Sequence, residues 1–202
     1  MVTIVDYGMG NLRSVQKAFE RVGVEAEVQR DPKAVTRASK LVLPGVGAFG
    51  MAMAHIDELQ LREPLLEAVH AGTPLLGICL GLQLLFESSE ELGRFEGLGL
   101  LTGAVKRFPE NGLRVPHIGW NEVHRVFDHP ILDGVPDREF FYFDHSYYVV
   151  PSDDGVTAGL TDYGIDFPAV VAREKVWGIQ FHPEKSQTFG LQILRNFGAL
   201  RC

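Results

Sequence analysis

The chain has 202 residues, 46% of them hydrophobic and 22% charged, with a formal net charge of −7. Such a composition describes an ordered globule able to bury a core without staples, and it argues against a broad nucleic-acid surface. Only two cysteines occur, Cys79 and Cys202, too few for a disulfide scaffold; the latter is expected in an exposed, disordered end. Since "MVTIVDYGMG" has no basic leader and no apolar run reaches roughly 20 residues, the expectation is a cytoplasmic protein with no membrane partner.

In chain order, "VTIVD" (2–6) reads as a buried strand and "NLRSVQKAFERVG" as a helix. Asn11 is its expected N-cap, Leu12, Val15, Phe19 and Val22 its buried face, and Gly23 its stop. "VEAEVQ" (24–29) alternates like a strand near a sheet edge, and "KLVLP" (40–44) is the next buried strand. Helical sequence runs from about Met51 to His70 with an interruption expected near Pro64. "TPLLGI" is a fourth strand that passes directly into a helix over "LGLQLLFESS". Repeated strand, loop and helix units predict an α/β fold: a mainly parallel open sheet with helices on both faces and sites at the carboxyl ends of strands.

From Gly97 to Pro183 the pattern changes to strands and turns, including "GLGLLTGAVKRF", "HIGWNEV", "EFFYFDHSYYVV", "FPAVVARE" and "VWGIQFHPE". This half is expected to form an antiparallel or mixed β extension. "SQTFGLQILRNFGAL" closes as a helix that can dock Phe189, Ile193, Leu194, Phe197 and Leu200. With no repeat or clear linker, residues 1–202 read as one domain.

Gly77-Ile78-Cys79-Leu80-Gly81 places a thiol between glycines at a strand-to-helix junction, the bend that lifts a nucleophile above a sheet. The first N–H groups of a helix favour negative charge there, hence thiolate. An isolated cysteine in an apolar run is more often plain core, so a partner is needed. "FHPEKS" supplies one: on extended backbone, His182 and Glu184 leave the same side, so a carboxylate can hold one ring nitrogen while the other faces the thiol.

Gly45-Val46-Gly47-Ala48-Phe49-Gly50 satisfies G-x-G-x-x-G, but a dinucleotide fold should present an acidic ribose ligand after the next strand, where this chain has Cys79. The alternative use of this glycine-permissive backbone is to turn N–H groups toward an oxyanion formed at the thiol.

"GICLGLQLLF" with "FHPEKS" resembles the triad-type class I glutamine amidotransferases, whose fold is flavodoxin-like. "IVDYGMGNLRSV", "LPGVGAFG", "PHIGWNEV" and "FDHSYYV" are similar to the glutaminase subunits of imidazole glycerol phosphate synthase. The matches run from Thr3 to Gln187; Leu82 departs from a usual methionine without touching the chemistry. The resemblance implies a cofactor-free, metal-free enzyme of histidine biosynthesis that hydrolyses L-glutamine through a Cys79 thioester, with His182 and Glu184 completing a triad. It implies an oxyanion hole from Gly45, Val46, Gly47 and Leu80, and substrate contacts from Gln83 and the Ser146-Tyr147 backbone. It further implies a (β/α)8-barrel cyclase as heterodimer partner and ammonia acceptor, contacted by Trp120, Tyr142 and Lys185, and low activity until the liganded cyclase docks. His145 receives no chemical role. Other readings are a glutaminase feeding a different synthase, a non-catalytic docking module, and a cysteine peptidase.

Overall fold

The computed structural model describes residues 1–110 and 112–200, so the expectation for Cys202 lies outside the described residues. Strand β1 (Val2–Val5) leads to α1 (Leu12–Arg21), which buries Val15, Ala18 and Phe19. Asn11 occupies the N-cap position without a side-chain capping bond, and Gly23, at φ +78°, stops the helix. After β2 (Ala26–Gln29) comes a short helix that hydrophobic periodicity does not announce, α2 (Pro32–Thr36). Its signals are local: Asp31 accepts the Lys33 N–H at 3.0 Å and Pro32 takes the first helical position.

Strand β3 (Leu41–Gly45) precedes α3 (Phe49–Glu58) and α4 (Arg62–His70). The helical stretch breaks at Gln60, where φ is +56°, and not at Pro64. That proline sits in the first turn of α4, where no intrahelical N–H bond is lost. Strand β4 (Leu75–Cys79) runs into α5 (Leu80–Leu84), a shorter helix than the apolar run predicts. Residues Phe86–Ser89 form β5 instead, because Phe86 pairs with Leu101 and Ser88 with Ala104, contacts that local periodicity does not announce.

The second half comprises β6 (Phe95–Glu96), β7 (Leu101–Arg107), β8 (His117–Arg125), β9 (Glu139–His145) and β10 (Tyr147–Pro151). β11 (Thr157–Asp162), β12 (Asp166–Arg173), β13 (Val176–Ile179) and α6 (Gln187–Ala199) complete it. The run 139–150 is therefore two strands. Ser146 divides them, with β9 on a nine-stranded sheet and β10 on a four-stranded one.

The large sheet has the order β2-β1-β3-β4-β13-β12-β11-β8-β9 and the small one β10-β7-β5-β6. From β2 to β13 the large sheet is parallel; from β13 to β9 every pairing is antiparallel. Alternation along the central strands feeds two cores. Ile4 and Val42 join α1 and α6 on one face, whereas Val5, Leu41 and Leu43 join α3, α4, α5 and the small sheet on the other. All five apolar positions expected of α6 pack into the first core. Among the described residues, no helix is long and apolar enough to cross a membrane.

Candidate active site

Three adjacent parallel strands, β3, β4 and β13, end together, and their register fixes what meets there. Gly45 pairs with Cys79, and Ile179 with Ile78, so the nucleophile candidate lies between the glycine loop and the segment leading to His182. Cys79 adopts φ +55° and ψ −110°, a conformation costly for a side-chain residue by about 1–3 kcal/mol. The flanking glycines make it possible. A Cβ on Gly77 would lie 2.6 Å from the Gly81 carbonyl oxygen, and one on Gly81 would strike the Leu43 carbonyl. Only hydrogens at these positions let α5 fold back against β3 and β4.

His182 and Glu184 meet as expected, though not on extended backbone. Pro183–Lys185 form a 3-10 turn with His182 as its cap, and the turn curls Glu184 back toward the ring. His182 Nδ1–H donates to Glu184 Oε1 at 2.9 Å, with only 5% and 3% of the two side chains exposed. Ser186 fastens the turn: its hydroxyl donates to the His182 carbonyl at 2.6 Å and accepts the Tyr142 N–H at 3.0 Å. Burial disfavours charge on His182, but hydrogen bonding and attraction to Cys79 and Glu184 outweigh it, and the imidazole is pushed up to about 10.

Because that value exceeds the ordinary 6.5, the stabilisation from His182 is complete below pH 6.5 and lost as pH rises through about 10. Glu184→Gln is expected to lower the ring's titration, seen by NMR of the imidazole, and to reduce unfolding free energy at pH 6 by about 2 kcal/mol. An unmoved titration would mean that the carboxylate does not set the ring's charge.

Cys79, Leu80, Gln83 and His182 line one pocket of about 270 Å³, together with Ser146 and Tyr147. Gln83 is 4% exposed. Its Nε2 donates to the Tyr147 carbonyl at 2.9 Å and to Gln180 Oε1 at 3.3 Å, so both hydrogens are used and Oε1 remains to accept from a ligand. Gln180 is a residue that the sequence reading passes over. Its signal was a polar side chain in the otherwise apolar "VWGIQF" run two places before His182.

A buried histidine pair, of which His145 lines the pocket, has a protonation that follows from its neighbours. The Tyr147 carbonyl can only accept, so His145 Nδ1 donates to it at 2.8 Å and His145 Nε2 is an acceptor. His117 Nδ1 therefore donates to His145 at 3.0 Å, and His117 Nε2 accepts from Asn121 Nδ2 at 3.2 Å. Burial keeps both rings neutral, holding His117 down at about 4 and His145 at about 3. His145 thus supports the Ser146-Tyr147 segment.

The glycine loop reaches the same pocket through Val46 and Gly47, the latter at φ +102°. Gly45, at the end of β3, lies against Tyr7, whose hydroxyl a Cβ there would hit. Burial first, then the neighbouring Cys79, pushes the Tyr7 hydroxyl up. A dinucleotide reading fails here for a structural reason as well. The first N–H of α3, from Phe49, is taken by Glu91 Oε2 at 2.7 Å, so a carboxylate already holds the place a pyrophosphate would need.

Exposed Trp120 and Lys185 gather around half-buried Tyr142 beside the site. Trp120 and Tyr142 are cross-strand partners with rings edge to face at 6.2 Å, and Lys185 Nζ stands 5.3 Å from the Tyr142 ring centre. Trp120 is 46% exposed. The patch adjoins the triad candidates directly, since the His182 N–H donates to the Tyr142 carbonyl at 2.9 Å.

The thiol elbow and the buried histidine-carboxylate pair share one pocket on a parallel sheet extended by antiparallel strands, an arrangement that accords with the class I glutamine amidotransferases. The chain belongs to that family: the "Glutamine amidotransferase class-I" family model matches residues 3–199. Within it the chain is similar to the imidazole glycerol phosphate synthase subunit HisH of Syntrophotalea carbinolica, with 54% identity covering 98% of this chain and 99% of that one. HisH of Desulfitobacterium hafniense is 51% identical, covering 98% of this chain and 93% of that protein. The fold is shared with a crystal structure of a glutamine amidotransferase at TM-score 0.77 and 23% identity, covering 98% of this chain and 97% of that chain.

Proposed function

We propose that this protein, as one amidotransferase domain over residues 1–202, is the glutaminase subunit of imidazole glycerol phosphate synthase in histidine biosynthesis. The observation that carries the catalytic part is the placing of Cys79, at φ +55°, on one pocket with His182, whose ring is held by Glu184 at 2.9 Å. Cys79 sulfur attacks the side-chain amide carbon of glutamine, and N–H groups of the Gly45–Gly47 loop and of Leu80 stabilise the oxyanion. His182 passes a proton to the departing nitrogen, and ammonia leaves a γ-glutamyl thioester. His182 then takes a proton from water as the oxygen adds, glutamate departs, and the sulfur is restored. Glu184 keeps the ring oriented. Gln83 Oε1 accepts from the substrate ammonium, while the Ser146-Tyr147 backbone holds the α-carboxylate.

The partner is a (β/α)8-barrel cyclase that receives ammonia before water can protonate it, with Trp120, Tyr142 and Lys185 at the contact. The exposure of Trp120, packed on the Tyr142 that adjoins His182, supports that assignment. The test is glutamate release with cyclase, with cyclase plus its nucleotide, and with neither. Strong stimulation by the liganded cyclase is expected; equal full activity in all three would overturn the dependence on a partner. Stimulation by the barrel of a different synthase, and not by this one, would instead favour the other glutaminase reading.

A further inference from the structure

Gln180 is fully buried, next to the reacting atom, and no step above employs it. It follows β13, with its backbone N–H bonded to the Ala169 carbonyl at 2.9 Å. A carboxamide has two donors at one end and an acceptor at the other, so its neighbours decide which way it points. Here they leave no freedom. Tyr147 O forces Gln83 to direct Nε2 inward; the second hydrogen of that nitrogen goes to Gln180 Oε1 at 3.3 Å. Gln180 Nε2 is thereby turned to Cys79 Sγ at 3.8 Å.

We infer that Gln180 is a further catalytic residue, donating an N–H to the Cys79 sulfur whenever that sulfur carries negative charge. The inference rests on the proposed glutaminase reading of Cys79. Charge is on sulfur at two points in the cycle. Before acylation, the thiolate holds it until the S–C bond forms and the electrons pass to the carbonyl oxygen. In deacylation, water oxygen bonds to the thioester carbon, its proton passes to His182, and the C–S electron pair returns to sulfur. A fixed donor lowers the cost of both states without itself exchanging a proton.

The link also runs the other way: a ligand that tightens on Gln83 bears on the orientation of the amide that faces the sulfur. The ionisable residues around the sulfur are Tyr7, Glu91, Asp144, His145, His182 and Glu184, and Gln180 adds a neutral donor among them. Asp144 also contributes its backbone carbonyl, 3.9 Å from Sγ.

The test replaces Gln180 by Leu and by Met, two apolar side chains of similar reach, in the complex with the cyclase and its nucleotide. The rate of Cys79 alkylation by iodoacetamide is followed against pH by mass, alongside kcat and KM for glutamine. Loss of the donor is expected to move the alkylation midpoint up by roughly one pH unit and to lower kcat about tenfold, with KM changed less than about twofold. A folded variant, by circular dichroism and urea unfolding, with the wild-type midpoint and kcat overturns the inference; so does a change confined to KM. If alkylating Cys79 in the unaltered protein leaves glutamine hydrolysis intact, the glutaminase reading itself fails, an outcome separable from the first.

Discussion

Cys79→Ala is expected to abolish glutamine hydrolysis, by roughly a thousandfold or more, while the protein still binds its partner. A sharper version of the experiment uses Cys79→Gly. The backbone at 79 sits at φ +55°, where a side chain is penalised and glycine is not. Glycine is therefore expected to be as inactive as alanine yet more stable than it by about 1 kcal/mol in urea unfolding. A stability difference between two equally inactive variants would separate the backbone strain at residue 79 from the loss of the thiol. Residual hydrolysis near wild-type level in either variant would remove Cys79 from the mechanism.

Gly81→Ala is expected to be the most damaging single methyl in the chain. The added carbon would run into the Leu43 carbonyl, with the Pro44 carbonyl carbon 3.6 Å away, and neither backbone atom can rotate aside. Separating α5 from β3 costs about 3 kcal/mol on the scale of overpacked cores, and it shifts the strand end that carries Gly45 to Gly47. Loss of folded protein, or of activity in whatever folds, is the expected result. Gly23→Ala provides the control. It has nothing within 4 Å of the new carbon, so only the φ of +78° is strained and about 1 kcal/mol is at stake. Equal tolerance at the two sites would show that the elbow is not closely packed.

Much of this arrangement was legible in the residues because the decisive contacts are local. The thiol elbow spans Gly77 to Gly81, and His182 and Glu184 are two apart, so short spacings carried the chemistry to one strand end each. The resemblance to amidotransferases joined them across the sheet. What local pattern cannot reveal is how one strand is shared between sheets. "EFFYFDHSYYVV" reads as strand throughout, yet it divides at Ser146, because β9 answers to β8 and β10 to β7. Similarly, Phe86 leaves the helix to pair with Leu101, a demand made by sequence far downstream. Gln180 was overlooked for the same reason: its partners, Gln83 and Cys79, are about a hundred positions away and become visible only once β13 lies beside β4.

The division of that strand has a mechanical corollary. Tyr142, on the aromatic rim, and Ser146, on the pocket wall, are four residues apart on taut backbone, about 13 Å at the rise of a strand. A load applied at the rim need cross no hinge, linker or intervening layer to reach the wall, because the same covalent thread carries it. On the proposed reading, partner contact and amide cleavage would occupy neighbouring stretches of one taut cord.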